Sequence, residues 1–216
     1  MNVFHPSDLQ QLSDFPNRQD QLAIVNRETP SGANGFFETL MRTPLRVIGH
    51  VYKRCAEDDI TYLLGESIPE KLQTDPFYAL WVSDMAQVSK SFCDVLGTKA
   101  VGFCLSTTRG CRRYHIDNVP MRMLVTYAGK GTEWLPDEAA DRDAYIRGAS
   151  NEEIVKDPSA RQFIEPWNIA IFRGESDGLL HRTPDSALEH PSILMRLDHE
   201  KFWDNILEHQ EQSKAA

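Results

Sequence analysis

The chain has 216 residues, a formal net charge of −9 and 41% hydrophobic residues, so it can bury a full core in one domain, with or without a helical extension. The acidic balance argues against a nucleic acid as the main partner, since no cluster of basic residues offsets it. The sequence has neither an apolar run long enough to span a bilayer nor the features of a signal peptide, which predicts a cytoplasmic protein without a membrane partner.

The four cysteines indicate an intracellular protein. Cys55, Cys93, Cys104 and Cys111 are sparse and do not form close pairs, so we expect reduced thiols rather than disulfides. A zinc site built from Cys104, Cys111 and His115 is an alternative, but no C-x-x-C knuckle supports it. Buried free cysteine is the commoner case.

The first quarter of the chain contains few clear signals. Residues 1 to about 20 are polar and carry two prolines, which favours a loosely held arm. Residues 21–26 fit a short strand that ends in a turn. Apolar residues then recur at helical spacing over 36–41, whereas 45–51 is apolar without a period that separates helix from strand.

The strongest helical signal runs from Thr74 to Leu96. Asp75 is placed as the N-cap, Pro76 as the first helical residue, and Gly97 just past the end. The apolar positions follow three-and-four spacing, which makes one face that must be covered: Phe77, Trp81, Met85, Val88, Phe92 and Val95. This pattern predicts a helix packed on a sheet, although such an aromatic stripe could also line a ligand pocket.

Strands and turns dominate after Gly97. The strand-like segments are 99–105, 121–127, 168–173 and 191–198, and residues 128–136 fit a glycine turn followed by a short strand. A polar excursion over 137–157 favours one or two short helices, and 200–212 fits a C-terminal helix. Helices followed by short strands predict an α+β protein whose helices cover one face of an antiparallel sheet. We expect an N-terminal support region over 1–98 and a strand-rich core with the C-terminal helix over 99–216, together forming one compact unit.

The segment 121–127 alternates in character. Met121, Met123, Val125 and Tyr127 share one face of the predicted strand, and Arg122 falls on the other. Arg122 is therefore a candidate inward-facing cation. A simple solvent-facing arginine is the alternative, because lone charges are usually exposed.

A histidine and an aspartate precede this strand. His115 and Asp117 are two apart, and residues i and i+2 of a strand point to the same face. His181, which follows the segment 168–173, would complete a set of two histidines and one carboxylate. That set suits non-haem Fe(II) with open coordination positions. The alternatives are a chance tripeptide, a His181 that caps a turn, or a hydrogen-bonded cluster in the core.

The order of these features resembles a known fold. His115-x-Asp117, the strand ending near Tyr127, the segment 131–134, His181 and an arginine in the next strand look like the double-stranded β-helix (jelly-roll, cupin-like) core of Fe(II)- and 2-oxoglutarate-dependent oxygenases. This resemblance covers roughly residues 99–200. It implies a β-helix core with N-terminal supporting helices and a C-terminal helix.

Three sequence blocks carry a second resemblance. Residues 114–120 (YHIDNVP), 131–136 (GTEWLP) and 181–184 (HRTP) are similar to an uncharacterised bacterial family of unknown function. Members of that family often lie beside genes for metal-handling GTPases, which implies a link to metal homeostasis. The family supplies no established activity.

The oxygenase resemblance implies a role for individual residues. It makes His115, Asp117 and His181 the iron ligands, and it makes Arg196 the partner of the far carboxylate of 2-oxoglutarate. Ser192 falls on the strand face of Arg196 and could donate a further hydrogen bond to the cosubstrate. The cation of Arg122 and the ring of Tyr127 could also face the cosubstrate. Tyr114 and Trp134 could help to shape the walls of the pocket.

Asp198 puts the cosubstrate in question, because it falls on the same strand face as Arg196 and could neutralise it. The expected function is therefore a non-haem Fe(II)-dependent, 2-oxoglutarate-type dioxygenase that acts on an unidentified small-molecule or protein substrate. The alternative is a non-catalytic metal-binding module on the same barrel. It would keep the three ligands and need no cosubstrate arginine.

Overall fold

The computed structural model describes residues 3–202 of the chain, so most of the helix predicted over 200–212 lies outside the described residues. The strands are β1 (Val3–Phe4), β2 (Leu22–Val25), β3 (Arg46–Tyr52), β4 (Ala100–Ser106), β5 (Met121–Ala128), β6 (Glu133–Trp134), β7 (Gln162–Phe163), β8 (Ile169–Arg173), β9 (His181–Arg182) and β10 (Ile193–His199). The α-helices are α1 (Ala33–Leu40), α2 (Ala56–Gly65), α3 (Glu70–Gln73), α4 (Pro76–Leu96), α5 (Arg142–Ile146), α6 (Asn151–Ile154) and α7 (Asp185–Glu189).

The strands form one large and one small sheet. The large sheet has seven strands in the order β1-β2-β8-β5-β10-β4-β3, and every neighbouring pair except β1 and β2 is antiparallel. The small sheet has the order β7-β6-β9. An isolated antiparallel bridge between His115 and His181 extends the small sheet beyond β9. The chain is thus a mixed α and β structure, as the sequence predicts.

Helix α4 confirms the strongest local prediction. The Asp75 side chain accepts a hydrogen bond from the Phe77 backbone N–H, Pro76 occupies the first turn, and Gly97 ends the helix with a φ of 65°. Trp81 and the other apolar residues of its predicted stripe are buried. The stripe therefore belongs to the core and does not line a ligand pocket.

The main core lies between α4 and the large sheet. Aromatic rings pack in edge-to-face pairs in its centre, with Trp81 against Tyr127 at 5.8 Å and Tyr127 against Trp167 at 4.9 Å between ring centroids. Phe36 and Phe37 of α1 join the same cluster. On the opposite face of the large sheet, a second apolar cluster that includes Leu124, Trp134 and Phe172 joins the two sheets.

The prediction of a loose N-terminal arm is wrong. Residues Val3–Phe4 pair with β2, and a 3₁₀ helix over Gln10–Asn17 buries Leu12 and Phe15 completely. Leu12 and Phe15 pack this segment into the main core. The undecided segment 45–51 forms β3, which pairs with β4. Because β1, β2 and β3 all join the large sheet, the expected support region and the expected core share that sheet.

Among residues 3–202, none of the helices combines the length and the apolar character that a membrane crossing requires.

Candidate metal centre

The two histidines of the candidate centre face each other across the bridge. The His115 N–H donates to the His181 carbonyl, and the His181 N–H donates to the His115 carbonyl, both at 3.0 Å. Their ring centroids are 4.5 Å apart. The regular strand assumed for His115 and Asp117 is not observed, because His115 forms only this bridge and Asp117 lies in the loop before β5. Tertiary pairing, rather than the pleat of one strand, brings the three residues together.

The loop that carries Asp117 is fixed by a close backbone contact. The Glu175 N–H donates to the Asp117 carbonyl at 2.8 Å. A Cβ at Gly174 would lie 2.4 Å from this carbonyl oxygen and 2.1 Å from that of Val119, so only glycine fits there. Residue 174 therefore contributes to the position of the carboxylate although it lies outside the site.

The three side chains form a compact group of potential ligands. Their donor atoms all lie within 4.8 Å of one another. The His181 Nε2 is 3.3 Å from Asp117 Oδ2, and the His115 Nε2 is 3.8 Å from Asp117 Oδ1. Asp117 and His181 are buried, whereas His115 is partly exposed. No cysteine belongs to this group, and all four thiols are free.

The hydrogen bonds of the histidine rings test whether a cation fits. His115 Nδ1 lies 3.1 Å from the Arg113 carbonyl, and His181 Nδ1 lies 2.9 Å from the Leu179 carbonyl. A carbonyl only accepts hydrogen bonds, so each Nδ1 carries a hydrogen, and in the neutral form of each ring the lone pair of Nε2 is turned toward Asp117. Two lone pairs and a carboxylate repel one another unless a cation lies among them. The residues present therefore fit a divalent metal.

The two carboxylate oxygens of Asp117 differ in their hydrogen bonding. Arg122 Nη1 donates to Oδ1, while Oδ2 is buried and has no hydrogen-bond partner among the described residues. Burial raises the pKa of Asp117, but His181 and Arg122 lower it by a larger amount, so the pKa lies well below its usual value. Burial likewise lowers the pKa of His115, yet the neighbouring Cys111 and Asp117 raise it above the usual value. The neighbouring groups, and not burial, set the direction of both shifts.

Ion pairs connect the Asp117 carboxylate, through Arg122 and Asp198, to Arg196. Arg122 is 8% exposed and donates from Nε to Asp198 Oδ1 at 2.7 Å. Arg196 donates from Nε to the other oxygen of Asp198 at 2.6 Å. Arg122 is therefore buried and inward-facing, and the solvent-facing alternative is wrong. The carboxylate of Asp198 is shared between two arginines, so it does not belong to Arg196 alone.

The centre opens into a pocket of about 380 Å³. His115 and His181 line one part of it. The lining also contains five arginines, namely Arg46, Arg109, Arg122, Arg182 and Arg196. Leu124 and Leu194 supply apolar wall, and the hydroxyl residues Ser106, Thr108, Thr132 and Thr183 complete the polar wall.

Two predicted cosubstrate residues lie away from this pocket. Tyr127 is 1% exposed in the main core and donates its hydroxyl hydrogen to Asp84 at 2.8 Å. It shares the helix-covered face of β5, opposite Arg122. Ser192 directly precedes β10 and is not among the described residues that line the pocket. Neither side chain belongs to the pocket lining that the described residues form.

The proposed wall aromatics are also core residues. Tyr114 is fully buried and donates to Glu133, which in turn lies 3.0 Å from Arg182. Trp134 belongs to the apolar cluster between the two sheets. Conversely, sequence reasoning passed over Arg109 as part of a turn. Its position in the loop that leads to His115 was the available signal.

Comparisons with known proteins identify a family. No curated protein sequence matches the chain significantly. Similar solved structures include the rice dioxygenase for auxin oxidation, with 11% identity, a TM-score of 0.45, and 92% of this chain and 82% of that chain covered. EvdO2 from Micromonospora carbonacea var. aurantiaca, complexed with 2-oxoglutarate, has 14% identity and a TM-score of 0.42, with 91% and 92% covered. EctD from S. alaskensis with bound Fe has 13% identity and a TM-score of 0.41, with 87% and 74% covered.

TM-scores this low do not establish a common fold, so they add nothing to the geometry of the centre. The family comparison is stronger, because it spans nearly the whole described chain. Residues 6–198 match the family described as "Protein of unknown function (DUF1826)". The chain belongs to the DUF1826 family.

Proposed function

We propose that this protein is a non-haem Fe(II)- and 2-oxoglutarate-dependent oxygenase built on a double-stranded β-helix. The path of the chain supports the fold. From β4 onward it passes from the large sheet to the His115 bridge, back to β5, on to β6 and β7, and then through β8, β9 and β10 in alternation. Strands that alternate between two facing sheets in this way form a jelly roll.

One observation carries the proposal: two histidine Nε2 atoms and one carboxylate oxygen converge at the wall of a pocket. In this arrangement His115, Asp117 and His181 would hold the iron on one side, which leaves its other positions open to the pocket. Bound iron with 2-oxoglutarate supplies oxygen activation and oxidative decarboxylation. The protein fixes ligand geometry through the two Nδ1 contacts and through the hydrogen bond from Arg122 to Asp117.

Arg196 is the proposed partner of the far carboxylate of 2-oxoglutarate. It lines the same pocket as the two histidines, and its planar fork suits a carboxylate. Its contact with Asp198 uses Nε, and Asp198 also serves Arg122. The ion pair with the buried Asp198 fixes the orientation of the Arg196 guanidinium.

The same Asp198 favours a second candidate, a metal-binding module that uses no cosubstrate. Its Oδ2 lies 2.6 Å from Arg196 Nε, which is the geometry of a formed ion pair. In that case Arg196 would only stabilise the sheet. The two candidates share the metal and differ in 2-oxoglutarate binding.

Thermal unfolding with added ligands separates the candidates. Mn(II) should raise the melting temperature of the protein under both of them, because a ligand that binds only the folded state stabilises it. A further rise with 2-oxoglutarate, seen only when Mn(II) is present and absent from Arg196→Ala, is the result expected of the oxygenase. A melting temperature that rises with Mn(II) but not further with 2-oxoglutarate would support the metal-binding module. A melting temperature that neither ligand raises would contradict both candidate functions.

A further inference from the structure

The pocket is unusually basic for an acidic protein. The whole chain has a net charge of −9, yet the described residues that line this pocket include five arginines and no aspartate or glutamate. Guanidinium groups that converge on a cavity raise the local concentration of anions and bind carboxylates or phosphates through paired N–H donors. The charge of the pocket therefore carries information about its ligand.

Three of these arginines are held by carboxylates of the protein. Arg122 contacts Asp117 and Asp198, and Arg196 contacts Asp198. Arg182 contacts two further carboxylates, those of Glu133 and Asp185. These pairs account for the structural role of the three residues.

Arg109 differs, because within residues 3–202 it forms no ion pair. Its Nη1 donates to the Lys130 carbonyl at 2.9 Å, and its Nη2 donates to Thr132 Oγ1 at 2.8 Å. Its Nε is buried and has no hydrogen-bond partner in the described part of the chain. Two neutral acceptors fix the plane of the guanidinium while its charge stays uncompensated.

An uncompensated cation in a partly buried position is costly. Burial lowers the pKa of Arg109 to about 10, which reflects this cost. Arg46 lines the same pocket and likewise forms no ion pair with the described residues. The two arginines thus line the same pocket as Arg196 without a carboxylate partner among the described residues.

We propose that Arg109, assisted by Arg46, binds an anionic group of the substrate, so that the substrate of this pocket carries a carboxylate or a phosphate. The inference rests on the proposed function, because it names the substrate class of the same site. Arg196 is assigned to the cosubstrate and lies on β10, whereas Arg109 lies in the loop between β4 and β5 that also carries His115. The cosubstrate carboxylate would then bind at Arg196, and the anionic group of the substrate would bind at Arg109. The hydroxyl of Thr132 keeps its hydrogen to donate to the same anion.

Calorimetric titration of the full-length protein tests the assignment without added iron or 2-oxoglutarate. Phenyl phosphate and benzoate are the probes, since they present one phosphate or one carboxylate on the same ring. We expect saturable binding of at least one probe. Arg109→Gln should weaken it on the order of tenfold to a hundredfold, because a charge-assisted contact is lost. The matched control is Arg112→Gln, an exposed arginine of the same loop that does not line the pocket and should leave binding unchanged.

Arg109→Lys guards against a folding defect, because it keeps the charge but not the fork, and it should bind with intermediate affinity. Stronger binding of phenyl phosphate assigns a phosphate substrate, and stronger binding of benzoate assigns a carboxylate. Binding of neither probe, or equal binding by wild type and Arg109→Gln, would overturn the inference. A failure of the iron and 2-oxoglutarate experiments would leave these titrations unaffected, so the two proposals fail separately.

Discussion

The two faces of β5 are stabilised by different forces. On one face, Met123, Val125 and Tyr127 pack against α4 and its aromatic neighbours in the main core. On the other, Arg122 joins two buried carboxylates beside the candidate metal centre. One strand thus separates a core that depends on apolar contact from a site that depends on charge balance. Substitutions on the two faces should therefore differ in what they change.

The largest expected effect is on the apolar side. Trp81 has 0% exposure and contacts several rings, so Trp81→Ala should lower the free energy of unfolding by about 3–5 kcal/mol. Denaturant unfolding followed by circular dichroism measures this loss. Leu80 on the same helix is 46% exposed, and Leu80→Ala should cost less than about 0.5 kcal/mol. Equal losses in the two variants would contradict the packing described for α4.

Removal of Arg122 tests the charged side. Arg122→Gln leaves Asp117 and Asp198 buried without their shared cation, which should destabilise the protein by about 3 kcal/mol. The double variant Arg122→Gln with Asp198→Asn removes one of the stranded charges and should recover part of this loss. Losses that simply add in the double variant would show that the two residues do not act as a pair.

The ligand prediction comes next in size. His115→Ala should weaken Fe(II) or Mn(II) binding by at least about a hundredfold, or about 2.7 kcal/mol, with little change in folding because the side chain is partly exposed. The same loss of metal is expected for His181→Ala. Metal content after dialysis measures the effect, and the exposed His190→Ala is the control. An unchanged metal content in His115→Ala would contradict the assignment of His115, Asp117 and His181 as the metal ligands.

The smallest expected effect concerns Tyr127. Tyr127→Phe loses one hydrogen bond to Asp84 and should cost about 1 kcal/mol in unfolding experiments. Because the residue lies on the helix-covered face, 2-oxoglutarate binding should not change. A weaker affinity for 2-oxoglutarate in this variant would show that Tyr127 contributes to cosubstrate binding.

Local signals in the sequence were sufficient for several elements. The N-cap Asp75, Pro76 and Gly97 delimit α4, and the alternation over 121–127 gives the two faces of β5. Both depend on neighbours within a few residues. Strand β2 was predicted from residues 21–26, whereas β1 was missed because it depends on pairing with β2, a contact between residues distant in sequence.

The site could be predicted only in part, for a related reason. His115, Asp117 and His181 were identified from residue type and order, and the structure brings them together through a bridge that no local pattern encodes. Ser192 does not line the pocket, although its spacing from Arg196 predicts the same strand face. The spacing of Arg196 and Asp198 predicted their contact, whereas the second partner of Asp198, Arg122, and the lone charge of Arg109 depend on three-dimensional neighbours.

The most direct test of the central claim is the visible spectrum of the iron-loaded protein under anaerobic conditions with 2-oxoglutarate. The oxygenase predicts a charge-transfer band of the chelated 2-oxo acid, with an affinity about a hundredfold weaker in Arg196→Ala because a carboxylate contact is lost. Ser192→Ala, at a position that does not line the pocket, should bind as wild type does. An iron-loaded wild type that shows no band at saturating 2-oxoglutarate would contradict the account.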